Sequence, residues 1–176
     1  MKFSKVFLCI LLVVLLSSCF SKDNHKIDFT FLQLNDVYEI APIQGGEFGG
    51  MARVEAVHKE LLQENPNTML FMAGDFLNPS LMGTIKVDGE RVQGKQMIEV
   101  MNAMNFDLVA FGNHEFDVSQ KDLQKRLNES NFPWISANVK LKTKDTSILF
   151  YKEVNGEKKS VGETYVKELI DKDGTK

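Results

Sequence analysis

The sequence predicts an α/β fold with a largely parallel sheet. Three apolar, strand-like segments each end abruptly in polar residues, and they cover residues 27–36, 67–75 and 106–114. Near-continuous apolar runs are typical of strands that are buried on both faces, as strands of parallel sheets are. Amphipathic helical patterns lie between these segments. Such alternation of strand and helix implies a parallel sheet with right-handed crossovers.

Three helices and a fourth strand complete the predicted pattern. The first helix covers 49–65, where apolar residues recur at nearly the i, i+3, i+4, i+7 spacing of one helix face. The second covers 95–105, and its methionines are predicted to lie in the core. The third covers 119–130, with Ser119 as its N-cap. Residues 134–139 then predict the fourth strand.

The pattern changes after about residue 140, where turn signals typical of β-hairpins occur. The turns are predicted at Asn155-Gly156 and Asp173-Gly174, and a strand is predicted at 165–170. The second hairpin has no second strand after its turn. We therefore expect the sequence to be the first part of a longer protein.

Composition excludes two broad classes of protein. With 43% hydrophobic and 26% charged residues, the chain is predicted to be globular and not disordered. The formal net charge of −3 argues against binding to a nucleic-acid polymer, which requires a basic face. It leaves open a small phosphorylated ligand.

The amino terminus predicts export. Two lysines precede the apolar run 6–16, which suits a secretory signal and is short for a transmembrane helix of about 20 residues. Its end, Leu-Ser-Ser-Cys, resembles a bacterial lipobox, so we predict a lipoprotein signal peptide over 1–18, a lipidated Cys19 and a tether over 19–27. The protein would then be an exported lipoprotein anchored in a membrane, on the periplasmic or cell-surface side. The alternatives are an uncleaved signal anchor and a signal cut without lipidation.

Ligand-capable side chains follow the three predicted strands. Asp36, Asp75 and the pair Asn113-His114 stand at the carboxyl ends of these strands, the edge where open parallel sheets bind ligands. Carboxylate, amide and imidazole groups suit divalent metals such as Zn²⁺ or Mn²⁺. Each Asp could instead cap a turn, and Asn113 could satisfy backbone groups in a tight turn.

Six sequence blocks carry a resemblance to a known family. LQLNDVYEI, GGMAR, AGDFLNPS, MNAMNFD, FGNHEFD and SANV resemble the successive blocks of the metal-dependent 5′-nucleotidase and cyclic phosphodiesterase family, one of the calcineurin-like metallophosphoesterases. The likeness runs over about 28–140. It implies an α/β/β/α sandwich that is incomplete at the carboxyl end, with the partial domain covering 28–176.

The resemblance also implies roles for individual residues. Asp36 would bind the first of two divalent metals, Asp75 would bridge both, and Asn113 would bind the second. His114 would face the substrate phosphate, and Asp117 would fix the orientation of His114. The metal pair would activate a hydroxide that attacks a nucleotide or related phosphate ester.

Two departures from the family pattern leave a second function open. Tyr38 stands where the family's usual Asp-x-His block has histidine, and a neutral phenol is a poor metal ligand. The family's further histidines are absent, since His25 falls in the tether and His58 is predicted at the edge of the first helix's buried face. The alternative is therefore a truncated, non-catalytic metal-binding or surface-interaction lipoprotein.

Two further predictions concern neighbouring segments. Asn78 and Ser80 lie in the loop after the second strand and could either steer phosphate or cap the turn at Pro79. The aromatic cluster 132–134 is predicted to pack in the core and not to stack on a base.

Overall fold

A computed structural model describes residues 26–171, which contain ten short strands and four α-helices. The strands are β1 (Thr30–Leu34), β2 (Thr68–Met72), β3 (Lys86–Val87), β4 (Glu90–Arg91), β5 (Leu108–Ala110), β6 (Trp134–Ile135), β7 (Leu141–Lys142), β8 (Ser147–Ile148), β9 (Tyr151–Val154) and β10 (Glu157–Ser160). The helices are α1 (Met51–Glu64), α2 (Leu81–Thr84), α3 (Lys95–Ala103) and α4 (Gln120–Glu129). Strands β1, β2, β5 and β6 form one sheet in the order β1-β2-β5-β6, and every neighbouring pair is parallel. The predicted parallel sheet is confirmed.

The three predicted helices are present as α1, α3 and α4. Ser119 is the N-cap of α4 as predicted, because its hydroxyl accepts a hydrogen bond from the Asp122 N–H at 3.2 Å. Helix α2 and the small β3–β4 hairpin were not predicted. They occupy the long connection between β2 and α3, where the sequence has no sustained hydrophobic periodicity.

The core lies between the sheet and its helices. Leu70 and Met72 of β2 are fully buried, as are Met97 and Met101 of α3, which confirms the predicted methionine core. Each such side chain stabilises the fold by about 1.5–3 kcal/mol relative to an exposed one. The Asn-Gly hairpin is also confirmed, since β9 and β10 pair antiparallel around Asn155-Gly156.

The buried face of α1 differs from the prediction. His58 is only 5% exposed and lies within this face, while Val57 is 46% exposed. Met51 and His58 are both buried and stand two helical turns apart, so they share the face that packs on β2. The Nδ1 of His58 lies 3.3 Å from Oε2 of Glu55. His58 therefore has a local partner on its own helix.

The fourth strand is shorter than predicted. Only Trp134–Ile135 is a strand, and the prediction of a strand through 139 was wrong. After the strand, the Ser136 hydroxyl accepts a hydrogen bond from the Val139 N–H at 3.1 Å, so a local side-chain bond holds this segment. Phe132 and Trp134 are each 3% exposed, so core packing of the aromatic cluster is confirmed.

Residues 165–170 were predicted as a strand and form no regular element. The side chain of Asn67 takes the place of a strand partner: its Nδ2 donates to the Ile170 carbonyl at 2.7 Å, and its Oδ1 accepts from the Ile170 N–H at 2.8 Å. One amide side chain thus satisfies both backbone groups of Ile170.

Several predictions lie outside the described residues. The signal peptide over 1–18, lipidated Cys19, most of the tether over 19–27, His25 and the turn at Asp173-Gly174 are among them. Between residues 26 and 171, no helix is long and apolar enough to cross a membrane.

Candidate active site

The three predicted ligand positions meet at the carboxyl edge of the sheet. Asp36 follows β1, Asp75 follows β2, and Asn113-His114 follows β5, and these strands are neighbours. The Asp36 N–H donates to the Gly74 carbonyl at 3.3 Å, and the His114 N–H donates to Asp75 Oδ1 at 2.7 Å. The structure therefore brings the ends of three strands, and the residues that follow them, close together.

Both aspartates have backbone conformations that are rare for residues with a side chain. The φ angle is 56° at Asp36 and 62° at Asp75, in the left-handed region. Such strain persists only where the surroundings hold it, and it occurs often at functional sites.

Two glycines allow the loops after β2 and β5 to touch. A Cβ added to Gly74 would overlap the backbone nitrogen of Gly112, and a Cβ added to Gly112 would overlap the Asp75 carboxylate. Gly74 also has a φ of 91°. The glycines in the Gly-Asp and Gly-Asn-His motifs are therefore required by close packing at this edge.

His114 and Asp117 form an ion pair on the surface of the site. The Nδ1 of His114 lies 2.6 Å from Oδ2 of Asp117, and their side chains are 36% and 44% exposed. The hydrogen bond to Asp117 raises the pKa of His114 and lowers the pKa of Asp117. Since Nδ1 is engaged, Nε2 is the ring nitrogen left to face a ligand.

Asn78, whose role the sequence left open, has a defined hydrogen-bond partner. Its Nδ2 donates to Asp117 Oδ2 at 3.1 Å, so this amide orients the carboxylate that in turn orients His114. Ser80 is buried and its Oγ lies 3.4 Å from Oε1 of Glu39. Asn78 therefore contacts the His114–Asp117 pair through Asp117, whereas Ser80 is buried beside Glu39.

Tyr38 contacts both Asp36 and His114. Its hydroxyl donates to Asp36 Oδ1 at 2.8 Å, and its ring stands edge-on to the His114 ring with centroids 5.8 Å apart. The hydrogen bond to Asp36 raises the pKa of Tyr38 to about 12, so the phenol stays neutral near pH 7. Asn35 donates to the other Asp36 oxygen at 2.6 Å, and these two bonds, that from Asn35 foremost, lower the pKa of Asp36.

Glu115 is the residue of this site that sequence reasoning missed. Its side chain is fully buried, and its carboxylate accepts hydrogen bonds from the backbone N–H groups of Asp75, Phe76, Leu77 and Gly112. A glutamate in a polar turn is usually exposed, and only the fold reveals the donors around this one.

The donor set fits a divalent cation that prefers oxygen ligands. The Asp75 carboxylate has one oxygen bound to the His114 N–H, and Asn113 is exposed and does not cap its own turn with its side chain. Carboxylate and amide oxygens suit Mg²⁺ or Mn²⁺. In the part of the chain that the structure describes, no three His, Cys, Asp or Glu side chains converge on one point. The assignment of Asp36, Asp75 and the amide of Asn113 as metal donors stays a prediction.

Comparisons with known proteins identify the family of the chain. The family model for calcineurin-like phosphoesterases matches residues 29–169. Snake venom 5′-nucleotidase from Gloydius brevicauda is 32% identical over 152 residues, which is 78% of this chain and 25% of that protein. This family and its 5′-nucleotidases generally use divalent metals.

Two solved structures share the fold. The calcineurin-like phosphoesterase YfkN from Bacillus subtilis matches with a TM-score of 0.58 and 24% identity, over 84% of this chain and 44% of that one. The NAD nucleotidase NadN from Haemophilus influenzae matches with a TM-score of 0.57 and 30% identity, over 74% of this chain and 28% of that one. The chain thus spans a quarter of the venom enzyme and less than half of each solved chain. The match of the family model over residues 29–169 shows that the chain belongs to the calcineurin-like phosphoesterase family.

Proposed function

We propose that this chain carries active-site residues of a metal-dependent phosphoester hydrolase that acts on nucleotides or related phosphate esters. The observation that carries the proposal is the convergence of Asp36, Asp75 and Asn113-His114 at one edge of a parallel sheet. Family membership supports hydrolysis of phosphate esters, and the names 5′-nucleotidase and NAD nucleotidase among its relatives support a nucleotide substrate.

Three side chains would hold the metals. Asp36 would bind a first divalent ion, Asp75 would bridge two ions, and Asn113 would bind the second. A bound metal pair would supply Lewis acidity toward the phosphoryl oxygens and a nucleophile from water near neutral pH. The hydrogen bond from the His114 N–H fixes one Asp75 oxygen and so limits how the carboxylate rotates.

His114 would act on the leaving group. Asp117 accepts a hydrogen bond from the Nδ1–H of His114, which holds the imidazole in one orientation. Its Nε2 would then be available to donate a proton or to stabilise phosphoryl charge. Asn78 steadies Asp117 from the other loop. These hydrogen bonds among Asn78, Asp117 and His114 therefore link the loops after β2 and β5 through side chains as well as through backbone.

Export to a membrane surface is part of the proposal. Its support is the sequence pattern of a lipoprotein signal that ends at Cys19. A nucleotidase held outside the cytoplasm by a lipid anchor would serve the salvage of phosphate or nucleosides.

The test is phosphate release by the purified protein from nucleoside monophosphates, cyclic nucleotides and sugar phosphates, with Mn²⁺ or Zn²⁺ added. We expect release that a chelator abolishes and that His114→Ala greatly reduces. His58→Ala is the matched control, since this second imidazole lies on α1 with its own partner and should leave the rate unchanged. Metal binding without release from any substrate would instead support the non-catalytic metal-binding alternative.

A further inference from the structure

The two loops that carry the proposed metal ligands are joined by an exchange of carboxylates. We call residues 73–77 the β2 loop and residues 111–117 the β5 loop. Glu115 of the β5 loop accepts N–H groups from Asp75, Phe76 and Leu77 at 2.8, 2.9 and 3.3 Å. Asp75 of the β2 loop in turn accepts the N–H of His114 at 2.7 Å. Each loop therefore holds the other through a negatively charged acceptor.

Glu115 has no capacity left to bind a metal itself. Its Oε2 accepts from Asp75 and also from Gly112 at 2.6 Å, while Oε1 accepts from Phe76 and Leu77. A carboxylate offers about four lone-pair positions, and four donors occupy this one. The side chain is also fully buried beneath the turn, where a carboxylate is tolerated only if hydrogen bonds compensate it.

We infer that Glu115 is a positioning residue whose buried carboxylate sets the distance between Asp75 and Asn113 before any metal binds. One oxygen of Glu115 bridges the backbone of Asp75 to that of Gly112, the residue before Asn113. Charge-assisted bonds of this kind are stronger and shorter than neutral ones, so they hold both loops in place. The inference rests on the proposed function, because it takes Asp75 and Asn113 to be the metal ligands.

Removing the charge at constant shape tests the inference. In Glu115→Gln the amide nitrogen would face two backbone donors, so two of the four bonds would be lost. We expect the affinity for Mn²⁺, measured by calorimetry, to fall about 10- to 100-fold, as it does when groups that orient metal ligands are removed. Glu115→Asp keeps the charge but is too short to reach both loops, and it should also weaken binding.

The matched control is Asp107→Asn. Asp107 is a carboxylate at the opposite end of β5 that accepts the Leu70 N–H at 2.9 Å and pairs with Lys167. This variant should lower thermal stability and leave Mn²⁺ affinity unchanged. Unchanged Mn²⁺ affinity in Glu115→Gln or in Glu115→Asp would overturn the inference, as would an equal loss of affinity in Asp107→Asn.

A second measurement needs no variant and no activity. In the metal-free wild-type protein, the amide hydrogens of Phe76, Leu77 and Gly112 should exchange as slowly as those of core strand β2, because buried acceptors hold them. Exchange at the rate of an open loop would overturn the inference even if every variant fails to fold. A protein with slow exchange at these amides but no phosphate release would keep the positioning role and reject the proposed function.

Discussion

Nδ1 of His114 and Oδ2 of Asp117 are 2.6 Å apart, and both side chains lie at the surface of the site. This hydrogen bond is the principal cause that raises the pKa of His114. Asp117→Asn should therefore lower the pKa of His114, which the titration of its ring resonances in NMR spectra would measure. With the orientation also lost, we expect kcat to fall about 10- to 100-fold. Asp122→Asn, which alters an acidic residue in the first turn of α4, should change neither quantity.

The same pair makes stability depend on pH with a predictable sign. The pKa of His114 is raised above 6.5, so its contribution is full below pH 6.5 and is lost as the pH rises through the folded value. The pKa of Asp117 is lowered below 3.8, so its contribution is present above pH 3.8 and is lost as the pH falls. The difference in urea midpoint between wild type and Asp117→Asn should therefore be largest between these values. A difference that grows from pH 6 to pH 9 would contradict the assignment.

Repeating local patterns made much of the fold predictable. The three apolar runs correspond to β1, β2 and β5. Ser119 caps α4, and serine is among the residues most favoured at the N-cap of a helix. The predicted strand at 165–170 is absent, and at Ile170 the backbone pairs with a side chain and not with a strand. Asn67 supplies that side chain from a distant turn, which no local pattern reveals.

The sequence predicted where the candidate site lies but not all of the residues that shape it. Asp36, Asp75 and Asn113 stand at strand ends, and the order of parallel strands brings strand ends together. The side chains of Glu115 and Asn78 bond to partners on another loop. Their residue types alone predict only exposed positions in turns. Sequence patterns therefore located the edge of the sheet and the candidate ligands, and only the structure showed what holds the two loops together.

Gly112 should tolerate no side chain, although its backbone angles are ordinary. A Cβ there would overlap the Asp75 carboxylate and its backbone nitrogen, so Gly112→Ala should lower the free energy of unfolding by about 1–3 kcal/mol. Gly83 of α2 is the matched control, since its added Cβ would make only ordinary contacts at 3.7 Å or more. Gly83→Ala should be neutral or stabilising, and urea titrations of both variants would show whether the signs differ.

Tyr38 and Asn35 should affect the acidity of Asp36 to different extents. Both donate to its carboxylate and lower its pKa, with the bond from Asn35 contributing most. Asn35→Ala and Tyr38→Phe should each raise the pKa of Asp36, and Asn35→Ala should raise it further. Carbon-13 NMR titration of the aspartate carboxyl groups measures both shifts. The reverse order would mean that the phenol is the main partner of this carboxylate.

Asp75→Asn separates a metal-binding role from a structural one. The amide oxygen of asparagine can still accept the His114 N–H, so the contact between the loops after β2 and β5 is retained and the melting temperature should change little. The other carboxylate oxygen is replaced by an amide nitrogen that carries two hydrogens and cannot bind a cation. Elemental analysis should therefore find metal in the wild-type protein and little or none in the variant. Asp107→Asn, at the far end of the sheet, should keep the wild-type metal content. If Asp75→Asn retained as much metal as the wild type, Asp75 would be a structural acceptor for His114 and the metal would require other ligands.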